Sequence, residues 1–317
     1  MTLQIADVTL DFDLTRDCFQ GCHRGNIAVK KIGILYHPMN EAAHGLATKL
    51  EQYLSSRGVS VWVCSAWEGE AAREQVNDTD LVLGIGGDGT ILRAAQAIVP
   101  GLTPITGINM GKLGFMTELS VEECKEKLNL LLEGKGWIDE RCLLEAELSP
   151  LEKGQKPQKF YALNDVVIAR GVVARVIYVE AIIDGEPLTT YKADGVIVAT
   201  ATGSTGYSLA AGGPILHPQA REFLLVPIMP HLSSSYVLVL PPTSVVRLVT
   251  TATHPAALNI DGHINLSLAS GATVTVRRSA NVVRFLRIHP QTSFYSSLEK
   301  KLKGKQRVEP SREGENN

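Results

Sequence analysis

Nowhere does this chain of 317 residues approach the ~20 consecutive apolar residues needed to span a bilayer. Neither sign of charge prevails: 31 Lys and Arg stand against 33 Asp and Glu, a net charge of −2. That balance gives no electrostatic footprint for nucleic acid or an anionic membrane, so the expected partners are small molecules. Cysteine is scarce. The five present are odd in number and scattered, which reads as reduced thiols in the cytoplasm. Cys18, Cys22 and the adjacent His23 lack a second ligand pair at zinc spacing, and the eight histidines never form H-x-x-x-H; no metal ligands are assigned. In the first 26 residues Asp7, Asp11 and Asp13 interrupt every apolar stretch, which excludes a secretory signal. Solenoid or propeller repeats are also missing.

What is present fits a soluble globular chain, 44% hydrophobic and 20% charged, long enough for two domains. Residues 27–136 alternate strand and helix. Ile27–Tyr36, Val59–Cys64, Asp80–Ile85 and Pro104–Asn109 read as strands. Glu41–Arg57 is helical, with Leu46, Leu50 and Leu54 on one face, and Ile91–Val99 is a second helix. Ser120 and Glu123 form a capping box before a third, which Gly134 closes. This alternation predicts a parallel, three-layer, Rossmann-like α/β domain.

From 137 to 288 the texture changes to short β-rich runs: Leu143–Leu148, Val166–Ala169, Val176–Ile183, Gly195–Thr200, Tyr236–Leu240, Val245–Thr250, Leu258–Ile260 and Val274–Arg277. They predict an all-β domain, with a polar hairpin or loop at Lys153–Lys159. Residues 1–26 form an N-terminal extension. Residues 289–302 read as a return segment to the first domain, with a last helix over Ser296–Leu302, and 303–317 as a disordered tail.

The most informative stretch is Leu81-Val-Leu-Gly-Ile-Gly-Gly-Asp-Gly-Thr90, a buried strand that ends in a glycine turn carrying a carboxylate. Gly84, Gly86 and Gly89 satisfy the dinucleotide fingerprint G-x-G-x-x-G, yet Asn109 stands where its acidic ribose ligand belongs. A turn that only cradles a pyrophosphate needs amides and no negative side chain. A carboxylate there suits proton removal from an attacking hydroxyl, or a hold on the metal of a nucleotide. Asp88 therefore points to phosphoryl transfer. The conventional P-loop is lacking: Gly107–Lys112 is one residue short and is followed by Leu113.

A second segment, Asp194 to Pro214, runs a buried strand into a turn rich in hydroxyls and glycines. It offers many donors to a polar ligand, and Tyr207 and Leu209 add surface for a flat ring. It reads equally as a structural turn in which Ser204 or Thr205 caps a helix. A hydrolase elbow at Ser204 fails, because Thr202 stands where glycine is required.

Together these segments resemble the NAD kinase family, which pairs a GGDG turn with D-G-x-I-x-x-T-x-T-G-S-T-x-Y-S-L-x-x-G-G-P-I. Asn109–Met116 and Leu163–Ile168 match two further signatures, and the resemblance runs from Ile27 to Pro290. It implies phosphorylation of NAD to NADP with ATP or polyphosphate and Mg²⁺ or another divalent metal, in a homodimer or homotetramer. By the same resemblance Asp88 is the general base for the 2′-hydroxyl of the adenosine ribose, with Gly89 in its turn. Asn164 and Asp165 hold the ribose and adjacent groups. The run Thr205, Gly206, Tyr207, Ser208, Leu209 and Ala210 wraps the adenine end, where Phe115 lines the pocket and Gly206 replaces the usual Ala. Asp194 contacts the nicotinamide ribose. Arg175, Lys192, Thr202 and His263 occupy NAD-contacting positions, His263 where Gln is common. Arg93, one turn beyond Asp88, reads equally as a phosphate contact or a solvated helix residue. A lipid kinase with the same turn would lack the Asn164–Asp165 and Thr202–Tyr207 clusters, and a silent dinucleotide sensor would gain nothing from Asp88.

Overall fold

The computed structural model describes residues 29–111, 114–133, 135–150, 156–171, 176–231, 236–251, 256–291 and 293–303. The extension 1–26 with Cys18, Cys22 and His23, the residues Gly134 and Arg175, and the tail beyond Lys303 lie outside the described residues.

The first half contains β1 (Lys31–Tyr36), α1 (Glu41–Ser56), β2 (Ser60–Ser65), α2 (Gly69–Gln75), β3 (Leu81–Ile85), α3 (Asp88–Ile98), β4 (Ile105–Asn109), β5 (Leu119–Ser120) and α4 (Val121–Leu132). Its strands pair in parallel in the order β5-β4-β3-β1-β2. Alternation in the strands sorts the core into two layers. Ile32, Ile34, Leu81, Leu83 and Ile85 face α1 and α4, whereas Leu35 and Val82 face α2 and α3. The helix signals in the sequence have physical counterparts. The Asn40 side chain accepts from the Ala43 N–H at the start of α1, and Ser120 and Glu123 close a reciprocal capping box on α4.

Two boundaries and one element differ from expectation. β1 starts at Lys31 rather than Ile27, because the Lys30 and Lys31 N–H groups donate to the Asp80 carboxylate. α3 begins at Asp88, three residues before Ile91, so the carboxylate of the glycine turn occupies the first helical position. α2 was not legible: it buries only Ala72 and has no side-chain cap, so it leaves no periodic signal.

The second half contains β6 (Trp137–Ser149), β7 (Gln158–Ala162), β8 (Asp165–Arg170), β9 (Ile177–Ile183), β10 (Glu186–Ala193) and β11 (Gly195–Ala199). A 3₁₀ turn (Gly203–Thr205), a single helical turn α5 (Tyr207–Ala210), β12 (Phe223–Ile228), β13 (Leu238–Leu240) and β14 (Val245–Thr250) follow. The described chain closes with β15 (Ala256–Ile260), β16 (Ile264–Leu268), β17 (Thr273–Arg287) and α6 (Ser293–Lys303). A six-stranded antiparallel sheet, β13-β12-β11-β8-β15-β16, packs its inner face against β9, β10, β14 and the first part of β17. α6 covers the expected Ser296–Leu302 and starts three residues earlier.

The two halves share one sheet. β17 leaves the sandwich at a bulge between Arg278 and Val282, and its far end joins β4 in parallel through Phe285 and Ile105. β6 accompanies it as an antiparallel partner throughout. Both strands are far longer than the expected Leu143–Leu148 and Val274–Arg277, for a clear reason. In β6 the extra inward positions hold Asp139 and Arg141, which pair with each other and with Arg287 of β17 and so break the apolar alternation; in β17 the bulge between Arg278 and Val282 cuts the period before the buried Val283 and Phe285.

Candidate active site

β3 is buried along its whole length and delivers the chain to Gly86 and Gly87, after which α3 begins. Asp88 stands at the N-terminal end of α3, where a helix favours negative charge. Its carboxylate folds onto the segment after β4: Oδ2 accepts the Phe115 N–H at 3.0 Å and Oδ1 the Met116 N–H at 2.9 Å. Gly114 makes this approach possible, because a Cβ there would collide with the Asp88 carboxylate. Thr117 fixes the same segment by accepting the Gly114 N–H at 3.1 Å. Asp88 thus points less into its own turn than onto a second one, and the signature at Asn109–Met116 serves as its holder.

The facing wall comes from the second half. Thr200 donates its hydroxyl to the Leu163 carbonyl at 2.6 Å and accepts the Gly203 N–H at 3.0 Å. Gly203 lies so close to Asn164 that a Cβ would strike the Asn164 carbonyl. This contact brings the hydroxyl turn against the Asn164–Asp165 pair. Gly206 completes the arrangement: a Cβ there would stand 3.6 Å from Asn164 Nδ2 and 3.8 Å from Asp165 Oδ2, an ordinary distance. Asn164 Oδ1, beside that contact, is buried with no partner among the described residues. Buried polar atoms are nearly always paired, so it suits a polar ligand.

Beneath the pair sits Asp261, which the sequence reading missed. It follows β15 at φ 50°, and its carboxylate accepts the N–H groups of Leu163 (2.8 Å), Asn164 (2.7 Å) and Asp165 (3.1 Å), together with the Gln96 amide of α3 (3.1 Å). Burial, and then the charge of Asp261, push the Asp165 carboxyl up to about 7.

A buried charge network ties the two walls together. Asp139 Oδ2 accepts from Arg141 Nε at 2.9 Å and from Arg287 Nε at 3.2 Å. Arg141 donates onward to the Thr202 hydroxyl at 3.3 Å, on the ligand-facing turn. Arg287 donates to the Met116 carbonyl at 2.9 Å and to Glu118 at 3.2 Å, behind the segment that holds Asp88. Burial works to raise the Asp139 carboxyl, but Arg141 and then Arg287 outweigh it and hold it below the usual carboxylate range. Phe115, Thr202, Thr205, Arg287 and Lys301 line a cleft between the walls. α6 borders the cleft, its Phe294 ring packed edge-on against His217 at 5.0 Å. On the far side of the turn, Gly86 and Gly87 border a second, open cleft with His37, Asn40 and Asn109.

The structure therefore brings together Asp88, Gly89, Phe115, Asn164, Asp165, Thr202, Thr205 and Gly206. Tyr207, Leu209 and Ala210 extend from that turn with their surfaces at least partly open, and Ser208 points inward. His263 is close as well, two residues after Asp261, with Nδ1 3.0 Å from the Asp261 carbonyl. The Arg93 guanidinium lies 4.3 Å over the exposed Trp67 ring, and burial lowers its pKa. Lys192 and Asp194 are not brought to Asp88. They sit at the opposite end of β11 from Thr200, about 20 Å away at the usual strand rise, where Asp194 pairs with Arg170 at 3.1 Å. Arg175 lies outside the described residues.

Among the described residues no group of three or more His, Cys, Asp or Glu could by itself hold a metal ion. The described side chains therefore fit an ion that would arrive on a bound phosphate better than a resident one.

Family models described as ATP-NAD kinase N-terminal domain and ATP-NAD kinase C-terminal domain match residues 27–136 and 163–288. A NAD kinase of Dehalococcoides mccartyi is 52% identical over 275 residues, covering 87% of this chain and 96% of that protein. A NAD kinase of Chloroflexus aggregans is 41% identical over 275 residues, covering 87% and 99%. Among solved structures, an NAD kinase from Archaeoglobus fulgidus in complex with ATP is similar with a TM-score of 0.69, 25% identity, and coverage of 86% and 98%. Yeast NADH kinase complexed with NADH shares the fold with a TM-score of 0.75 at 24% identity, covering 90% of this chain and 91% of that one.

Proposed function

The chain belongs to the NAD kinase family, and from that premise we propose that it phosphorylates NAD with ATP at the 2′-hydroxyl of the adenosine ribose. A ribose hydroxyl is a poor nucleophile at neutral pH, so a positioned carboxylate that takes its proton contributes typically ~10²–10⁴-fold. The observation that carries this reading is the Asp88 carboxylate, half-exposed and fixed by two N–H groups between the cleft that Phe115 lines and the one that Gly86 and Gly87 border. The ribose lies against Asn164 and Asp165, and the adenine end against Phe115 and the turn from Thr205 to Ala210. The unpartnered Asn164 Oδ1 supports that placement. Alignment and charge neutralisation lower the rest of the barrier, as is usual for phosphoryl transfer. A divalent metal enters with the triphosphate and neutralises its charge. Polyphosphate is the alternative donor.

The protein works in the cytoplasm as a homodimer or homotetramer; no helix among the described residues is long and apolar enough to cross a membrane. Purified protein given NAD, Mg²⁺ and either ATP or polyphosphate should yield NADP whose phosphate is at the 2′ position by phosphorus NMR. Tight NAD binding with no NADP from either donor would overturn the reading. Light scattering of the same preparation should give the mass of two or four chains, and a single-chain mass would refute the assembly.

A further inference from the structure

The cleft between the two walls holds three cationic side chains, and only two of them are satisfied. Arg141 is engaged by Asp139 and Thr202, and Arg287 by Asp139, Glu118 and the Met116 carbonyl. Lys301, on α6, has no hydrogen bond or ion pair among the described residues. Its ammonium lies 5.9 Å from the centre of the Phe115 ring. Phe115 is also the residue whose N–H holds Asp88. A lysine on the last helix of the described chain is thus aimed at the point where the two walls meet, between Phe115 on one side and Thr202 and Thr205 on the other.

We propose that Lys301 is a phosphate ligand of the reaction, donating from its ammonium to a phosphoryl oxygen bound beside Asp88. The proposal rests on the NAD kinase reading of the cleft and adds to it a residue from outside both matched family domains.

Four physical arguments support it. A lysine ammonium is strongly hydrated and is seldom withdrawn from water without a partner. Burial, followed by repulsion from Arg287, lowers the Lys301 pKa, so the site as it stands disfavours its charge and an arriving anion would favour it. Asp88 attracts the same ammonium. A phosphoryl oxygen lodged between them would be attracted by Lys301, offsetting its repulsion by the base. α6 is anchored independently through Phe294 on His217, so the ammonium is carried on a packed helix rather than a loose tail.

The phosphoryl oxygen belongs either to the donor or to the pyrophosphate of NAD, and binding measurements separate the two. Calorimetry should compare the full-length chain with Lys301→Met and Lys301→Arg, using ATP, inorganic tripolyphosphate and NAD as separate ligands. Loss of one charge-assisted hydrogen bond weakens binding by roughly tenfold or more. We expect Lys301→Met to show that loss with Lys301→Arg keeping most of the affinity, and both unfolding at the wild-type temperature. A loss confined to ATP and tripolyphosphate assigns the donor, and a loss confined to NAD assigns its pyrophosphate. Unchanged affinity for all three ligands in a folded Lys301→Met protein overturns the proposal. So does Lys301→Arg falling as far as Lys301→Met. Should Met impair folding, Lys301→Gln carries the same comparison. Because these are binding readouts, a wild-type protein that made no NADP would refute the function and still leave Lys301 decided.

Discussion

Asp88 in the first half and Asp261 in the second each follow a buried strand, and each reaches across to accept the backbone N–H groups of a distant segment. Asp88 binds Phe115 and Met116; Asp261 binds Leu163, Asn164 and Asp165, with Gln96 as a fourth donor. An ionised carboxylate has about four lone-pair sites. Asp261 uses four and is buried, whereas Asp88 uses two and stays half-exposed. The same device therefore gives a structural tie in one place and a candidate base in the other. What separates them is the remaining acceptor capacity and its exposure. Neither relies on a cation as its direct partner, in contrast to Asp139 between its two arginines.

The largest expected effect is on Asp88. Asp88→Asn keeps the size of the side chain but cannot take a proton as a carboxylate does, so kcat should fall by at least ~10² while NAD affinity is largely retained. Gly114→Ala approaches the same point from the other side, since its Cβ would displace the carboxylate while leaving its chemistry intact. It should lower kcat in a folded protein, by less than Asp88→Asn. Asp88→Asn turning over within a few-fold of wild type would make Asp88 a second structural tie and dissolve the contrast with Asp261.

Asp261 should respond in the opposite sense. Asp261→Asn keeps one accepting oxygen and turns an NH₂ toward donors, and each hydrogen bond lost from a charged group costs about 1.5–3 kcal/mol. The urea midpoint should drop accordingly, with a smaller change in the kcat of the protein that remains folded. If stability held and kcat collapsed instead, Asp261 would belong to the chemistry.

This contrast also marks what the sequence could reveal. Asp88 was legible because its chemistry is local: a strand, two glycines and a carboxylate in one run. The hydroxyl turn was legible for the same reason, and the strand–helix alternation exposed the parallel half. Asp261 was not, since its partners lie some 98 residues away and the sequence gives it only a common turn. Asp139 and Arg141 were hidden by their own pairing with Arg287, 148 residues from Asp139, which places charge where a strand pattern predicts apolar side chains. Lys301 needed the docking of α6 to acquire meaning. Contacts made between distant segments, rather than within a run, are what pattern reading cannot supply.

The smallest effect concerns pH and tests how closely Asp261 and its neighbour are coupled. The folded chain holds the Asp165 proton up to about 7, because burial and the facing Asp261 carboxyl both oppose ionisation. The unfolded chain releases it near the ordinary aspartate value of about 4. Between these values the folded state binds the extra proton, so this residue's contribution is fully present at low pH and is lost as pH rises through about 7. Asp165→Asn removes the titration and keeps a neutral group of the same shape. Its stability, measured by urea unfolding, should vary less across pH 4–7 (about the window those two values set) than that of wild type. The difference between the two proteins should shift in favour of the variant as pH rises. If the two curves ran parallel through the window, Asp165 would be ionised in the folded protein, with a partner strong enough to overcome both its burial and Asp261.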